Sequence, residues 1–173
     1  DNVFGLKMRP KSLTEIKEFV QEANVPFVIK GVLSTVDAVK CVEAGVKAIV
    51  VSHHHGIMDY AVPPLAVLPE IVKAVDGQMD IFVDCGIVSG MDAYKALALG
   101  ATAVSVGNHL IPVLKKGGAQ AVADRIDAMT EEFPQYTQED IRDMYESLEL
   151  PKRATKGSAG YDFYAPFAFS LPP

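Results

Sequence analysis

Four short apolar runs divide the first part of the chain, at residues 27–30, 48–52, 81–84 and 103–106. They are apolar along their length rather than alternating with polar residues, as strands buried on both faces are. Between them, residues 35–44, 65–75 and 90–99 carry apolar positions at helical spacing. Strand and helix in alternation predict a parallel sheet with crossover helices. Helix starts are marked by Ser12 with Glu15, Ser34 with Asp37 and Ser89 with Asp92, each a capping box or its aspartate variant. The serine hydroxyl takes an orphan backbone N–H, and the acid suits the positive end of the helix dipole. Gly45 and Gly100 mark helix ends, where glycine tolerates left-handed backbone.

The pattern also repeats. Residues 27–51 align without gaps on residues 82–106, an offset of 55. The pairs Phe27/Phe82, Gly31/Gly86, Ser34/Ser89, Asp37/Asp92, Lys40/Lys95, Gly45/Gly100 and Ala48/Ala103 are among the identities. That offset fits two βα units, so the repeat unit is βαβα. A complete (β/α)8 barrel needs about 250 residues. This chain has room for four strands, which makes the expected fold α/β and half a TIM barrel.

After Phe133 the pattern changes. Pro134 breaks the last helix, and residues 136–150 read as an acidic amphipathic helix with Thr137 as N-cap. A loop and a short aromatic strand follow. The expected division is residues 1–133 for the half-barrel and 134–173 for a helix-plus-extended tail. The N-terminus, Asp1-Asn2-Val3-Phe4, lacks a Met and a signal-peptide pattern, and reads as a cut edge.

Composition narrows the function classes. The chain has 173 residues, 49% hydrophobic, enough for one core. A net charge of -6 and a pI near 5.2 leave no basic stripe for phosphate backbones, so no nucleic-acid partner is expected. No apolar run reaches the roughly 18 residues of a membrane span. The two cysteines, Cys41 and Cys85, form no CxxC pair, and a reduced, cytoplasmic setting is the simplest reading.

In a (β/α)8 barrel the ligand sits at the C-terminal ends of the strands. Those ends hold Lys30-Gly31, then Ser52-His53-His54-His55-Gly56, then Asp84-Cys85-Gly86, then Gly107-Asn108. The glycines allow close approach to the backbone. The helix starts at Ser89-Gly90 and after Gly107 are expected to aim N–H groups at an anion such as phosphate.

These residues also carry a resemblance. Val28-Ile29-Lys30-Gly31-Val32, Ile49-Val50-Val51-Ser52-His53-His54-His55-Gly56, Asp84-Cys85-Gly86-Ile87 and Lys95-Ala96-Leu97-Ala98-Leu99-Gly100-Ala101 resemble FMN-dependent 2-hydroxy-acid dehydrogenases and oxidases. The lactate and glycolate oxidases are among these. The resemblance spans roughly residues 3–132 and implies the C-terminal half of the barrel, FMN as cofactor and a small 2-hydroxy acid as substrate. It implies that Lys30 stabilises negative charge on reduced flavin and that His54 takes the substrate hydroxyl proton. It further implies that Ser52 hydrogen-bonds the flavin, that Asp84 holds ribityl hydroxyls, and that Gly86 and Gly107 lend N–H groups to the phosphate. His55, Gly56 and Asn108 complete the implied cofactor contacts. The chain departs from the family pattern at three positions. Ile57 stands where the substrate-carboxylate arginine is usual, and Val88 and Asn108 stand where phosphate arginines are usual. Residues 150–165 resemble the start of a trimeric dUTP diphosphatase, with that family's first motif at Ala159-Gly160-Tyr161-Asp162-Phe163. Its later motifs are missing, which implies two joined gene fragments or a truncated fusion, with a dUTP diphosphatase remnant as a remote third reading.

Plainer readings compete. His53, His54 and His55 could be a polar loop, since adjacent side chains cannot all face one metal ion, and no metal is expected. Cys41 and Cys85 read as small core residues, His109 as structural, and Ser34 and Ser89 as caps alone. Asp162 reads as a turn residue. A half-barrel has unpaired edges and an uncovered core face. The expected alternative to catalysis is therefore a self-associating homo-oligomer.

Overall fold

The computed structural model describes residues 9–56 and 60–132, the backbone of the two-residue strands β1 (Asn2–Val3) and β2 (Leu6–Lys7), and isolated positions 139, 142, 143 and 146. Ile57, most of the helix expected over residues 136–150, and residues 150–165, where a dUTP diphosphatase resemblance was expected, lie outside the described residues. The remaining elements are α1 (Leu13–Glu22), β3 (Val28–Val32), α2 (Thr35–Glu43), β4 (Ala48–Val51), α3 (Pro64–Val75), β5 (Asp80–Val83), α4 (Gly90–Ala98), β6 (Ala103–Val104) and α5 (Leu110–Glu131). Strands β1 and β2 form an antiparallel pair. Strands β3 to β6 form one parallel sheet in sequence order, joined by α2, α3 and α4. Order β3-β4-β5-β6 with helical crossovers is the local topology of a (β/α) barrel wall.

The four strands and three helices expected over residues 27–106 are present, with ends displaced by up to two residues. Burial differs from expectation at the sheet edges. β4 and β5 are largely enclosed, but Val28 and Lys30 of β3 are exposed and β6 is half-covered. Among the described residues each edge strand has a neighbour on one side only, so part of its apolar run stays uncovered. The core lies where helices cover the sheet. Ile49, Val51 and Val83 of the strands meet Leu68, Ile71 and Val75 of α3, and Ala38 and Ala96 complete it.

The repeat is visible as geometry. Ser34 and Ser89 cap α2 and α4 with nearly equal backbone angles, φ −140°, ψ 151° and φ −138°, ψ 163°. Gly31, inside β3, and Gly86, three residues past β5, both have left-handed φ, +98° and +81°. At Gly31 this produces a register shift against β4 between Lys30 and Val32. Ser12 with Glu15 and Ser89 with Asp92 form full reciprocal capping boxes. Ser89→Ala should therefore cost about 1 kcal/mol, read as a lower midpoint in chemical denaturation, and an unchanged midpoint would show the box to be idle.

Helix α5 was foreseen only as a last helix ending before Pro134. It is the longest element, interrupted at Gly118 (φ +68°, ψ −165°). It packs on α4, and a Cβ built on Gly90 would lie 1.8 Å from the Met129 carbonyl oxygen. Only a residue without a side chain fits between the two helices at that point.

Candidate active site at the strand ends

Neighbouring parallel strands lie about 4.8 Å apart, so the long side chain of Lys30, inside β3 and in register with Val50, can reach Ser52 and Asp84, each one residue past the end of β4 and β5. The sequence pattern places Lys30 at the strand's end, but β3 continues to Val32. Lys30 Nζ donates to Ser52 Oγ at 2.8 Å and to Asp84 Oδ2, forming an ion pair. The Lys30 side chain is 44% exposed and that of Asp84 14%, while Ser52 is fully buried. Ser52 Oγ also accepts the His54 backbone N–H at 3.1 Å. Burial alone would raise the Asp84 carboxyl. Hydrogen bonds from Cys85, Lys30 and Ser52, with the Lys30 charge, outweigh it and hold the group below its ordinary range.

This shift has a sign that can be checked. A carboxylate held low contributes stability that is complete above about pH 4 and is lost as pH falls through its folded value. Between about pH 6 and pH 3, Asp84→Asn should lose less thermal stability than the unsubstituted chain. Equal losses in the two proteins would show that the Lys30–Asp84 pair does not contribute.

Cys85 is buried, as expected of a small core residue, and it also makes bonds that were not expected. Its backbone is left-handed, at φ +68°. Its Sγ donates to Asp84 Oδ1 at 2.9 Å, accepts the His55 N–H at 3.3 Å and lies 3.5 Å from Ser52 Oγ. The thiol thus ties the β4 loop to the β5 end. No local pattern announces this, because a cysteine in an apolar run reads the same whether it packs or bonds.

After Ser52 the chain makes a single tight turn, His54–Gly56. His54 and His55 both have left-handed φ, 50° and 56°, which is uncommon outside glycine and is found at constrained sites. His53 Nδ1 accepts the Gly56 N–H at 2.9 Å and closes the turn. The His54 imidazole is exposed, and His54 reaches Lys30 only through Ser52.

Beside this cluster lies a cavity of about 130 Å³ lined by His55, Asp84, Gly86, Gly107, Asn108 and His109, with Val88 at its wall. Of the expected site residues, His55, Asp84, Gly86, Gly107 and Asn108 face it, while Lys30, Ser52, His54 and Gly56 stand outside it. The volume is below the roughly 300–1,000 Å³ of whole-ligand sites, so it can house one end of an extended ligand and no more. A Cβ on Gly86 or Gly107 would meet nothing within 4 Å, which leaves open space for a ligand against the backbone.

One expectation fails here. The N-terminus of α4 is not free for an anion. Asp92 Oδ2 accepts the Val88 and Ser89 N–H groups, and Glu132 Oε2, reaching from the end of α5, accepts that of Met91 at 3.2 Å. Two carboxylates already serve as its anions. The start of α5 differs, since its N-cap, His109, makes no side-chain cap. Arg125 of α5 donates from Nε to His109 Nε2 at 3.0 Å and from Nη2 to the Val88 carbonyl at 2.7 Å, and Nη1 lies 3.6 Å from Glu132. Neither His109 nor Arg125 was expected at the cavity: His109 was read as structural, and Arg125 was not singled out. They lie 16 positions apart, one before the helix and one within it past its break.

Residues 3–138 match the family model described as FMN-dependent dehydrogenase. The match runs past the boundary expected near residue 134. A peroxisomal (S)-2-hydroxyacid oxidase of Arabidopsis thaliana is 34% identical over 151 residues, covering 77% of this chain and 42% of that protein. An L-lactate oxidase of a Nostoc species is 40% identical over 132 residues, covering 75% and 36%. A solved structure of mandelate oxidase with (S)-2-phenylpropionate superposes with a TM-score of 0.68 at 39% identity, covering 74% of this chain and 39% of that one. The chain thus spans about two-fifths or less of the length of these relatives. No described helix is long and apolar enough to cross a membrane. By its matched residues and its parallel sheet, the chain belongs to the FMN-dependent dehydrogenase family.

Proposed function

We propose that this chain supplies one half of the flavin site of an FMN-dependent oxidoreductase that oxidises a small 2-hydroxy acid to the 2-oxo acid. The carrying observation is the meeting of Lys30 of β3 with Ser52 and Asp84, just past β4 and β5, beside a cavity of partial-ligand size. The donor set fits FMN. It offers a cation, a hydroxyl, a carboxylate for ribityl hydroxyls, and glycine backbone beside open space for the phosphate.

Bound FMN would accept the hydride of the substrate's α-carbon. Lys30 would hold positive charge where negative charge develops, an electrostatic role that needs no movement at the moment of reaction. His54, exposed and fixed by its left-handed turn, would take the hydroxyl proton at an imidazole nitrogen. Ser52 positions both, accepting from Lys30 and from the His54 backbone. Asp84 would exchange part of its bonding with Lys30 for ribityl hydroxyls. Gly56, His55 and Asn108 would border the cofactor. Two buried, unbridged thiols, Cys41 and Cys85, suit a reducing compartment such as the cytoplasm. The exposed edge β3 suits a homo-oligomer. Residues 134–173 would form a segment separate from the barrel wall.

Titration with FMN, followed by flavin fluorescence, tests this reading. Saturable quenching, followed by bleaching of the visible band on addition of lactate or mandelate, is the expected result. Absence of both at high protein concentration would leave ancestry alone. A concentration-dependent mass by light scattering would then support self-association as the chain's property.

A further inference from the structure

The positions where the family pattern has phosphate arginines are Val88 and Asn108, so the cavity lacks the charged groups expected of it. It has others. His109 lines the cavity, and its Nε2 accepts from Arg125 Nε. A guanidinium nitrogen can only donate, so His109 Nε2 holds a lone pair and the ring proton sits on Nδ1. Arg125 also grips the Val88 carbonyl, so one side chain fixes both the loop after β5 and the start of α5, the two walls of the cavity. Glu132 balances its charge from the far side.

We propose that His109 is a phosphate-binding residue of this cavity, donating from Nδ1 to a phosphoryl oxygen, and that Arg125 is the positioning residue that sets its tautomer and orientation. No other described residue within bonding distance competes for Nδ1. The arrangement offers an anion the His109 ring N–H beside the Gly86 and Gly107 backbone, in a cavity also lined by Ser105, Asn108 and the Asp84 carboxylate. It places a positive charge one bond behind that donor, where it polarises the ring without itself meeting the ligand. The proposal deepens the flavin reading and rests on it only in so far as the phosphate is that of FMN.

Calorimetric titration with FMN and with riboflavin, which has no phosphate, separates the roles. His109→Phe should weaken FMN binding about tenfold, the order of one hydrogen bond to a charged group, and leave riboflavin unchanged. Arg125→Met should narrow the FMN-to-riboflavin preference in the same direction. Arg125→Lys should not restore it, since one ammonium cannot hold both His109 Nε2 and the Val88 carbonyl. Equal weakening of FMN and riboflavin in His109→Phe would mean that the residue only supports the fold, and the proposal falls. In parallel, imidazole ¹⁵N shifts are followed while inorganic phosphate is added. Movement at His109 Nδ1 in a chain that binds neither flavin would sink the flavin reading and keep the phosphate site. No movement at His109 with phosphate or with FMN would overturn the site itself.

Discussion

Replacing Lys30 by alanine is expected to weaken FMN binding about tenfold and, where turnover of a 2-hydroxy acid is measurable, to lower it by about 10²–10³. Two effects combine. The cation that would face developing charge is removed, and such preorganised groups act mainly in the transition state. The Asp84 carboxylate, 14% exposed, also loses its counter-charge and keeps only Cys85 and Ser52 as partners. Lys30→Arg separates the two. It retains charge for Asp84 but not the compact ammonium geometry, so it should recover stability before it recovers turnover. Quenching titrations and thermal melts on both variants check this. An alanine variant that binds and turns over like the unsubstituted chain would remove Lys30 from the site.

Gly90→Ala is expected to destabilise the fold by about 2 kcal/mol or more, a drop in melting temperature of several degrees. The added Cβ would lie 1.8 Å from the Met129 carbonyl oxygen and 2.8 Å from Glu132 Cβ. The first obstacle is backbone, so α5 as a whole must retreat from α4. Retreat would also pull Glu132 off the Met91 N–H. The gain of about 0.5–1 kcal/mol that alanine offers over glycine in a helix is too small to offset this. The repeat supplies a control, because the position equivalent to Gly90 is Thr35, a residue with a branched side chain at the start of α2. No second glycine is needed there, and Thr35→Ala should be close to neutral. If Gly90→Ala is equally neutral in thermal melts, the α4–α5 contact is not as close as described.

The two variants mark what could be read ahead of the structure. Lys30, Ser52 and Asp84 were legible because each lies at or near the C-terminal end of a strand, although β3 runs on to Val32, and parallel neighbours bring these ends together whatever lies between. The caps at Ser12, Ser34 and Ser89 were legible because their bonds span three residues. Long-range contacts away from the strand ends left no trace. Glu132 reaches Met91 across 41 residues, so the α4 N-terminus looked open to a phosphate when it was already closed. Arg125 meets His109 only because α5 starts where it does, and Cys85 bonds three partners through a loop conformation that composition does not encode. The edge strands were read as buried because apolar runs report what a segment can bury, not whether a neighbour is there to bury it.

The open edge at β3 has a thermodynamic meaning. Among the described residues β3 pairs with β4 alone, and Lys30 stands on that edge. Whatever strand docks there, from a second copy or from further barrel wall, narrows the freedom of the Lys30 side chain before any ligand arrives. Docking and cofactor capture then share one coupling free energy. A partner that tightens flavin binding by some factor must itself be held more tightly by the same factor once flavin is bound.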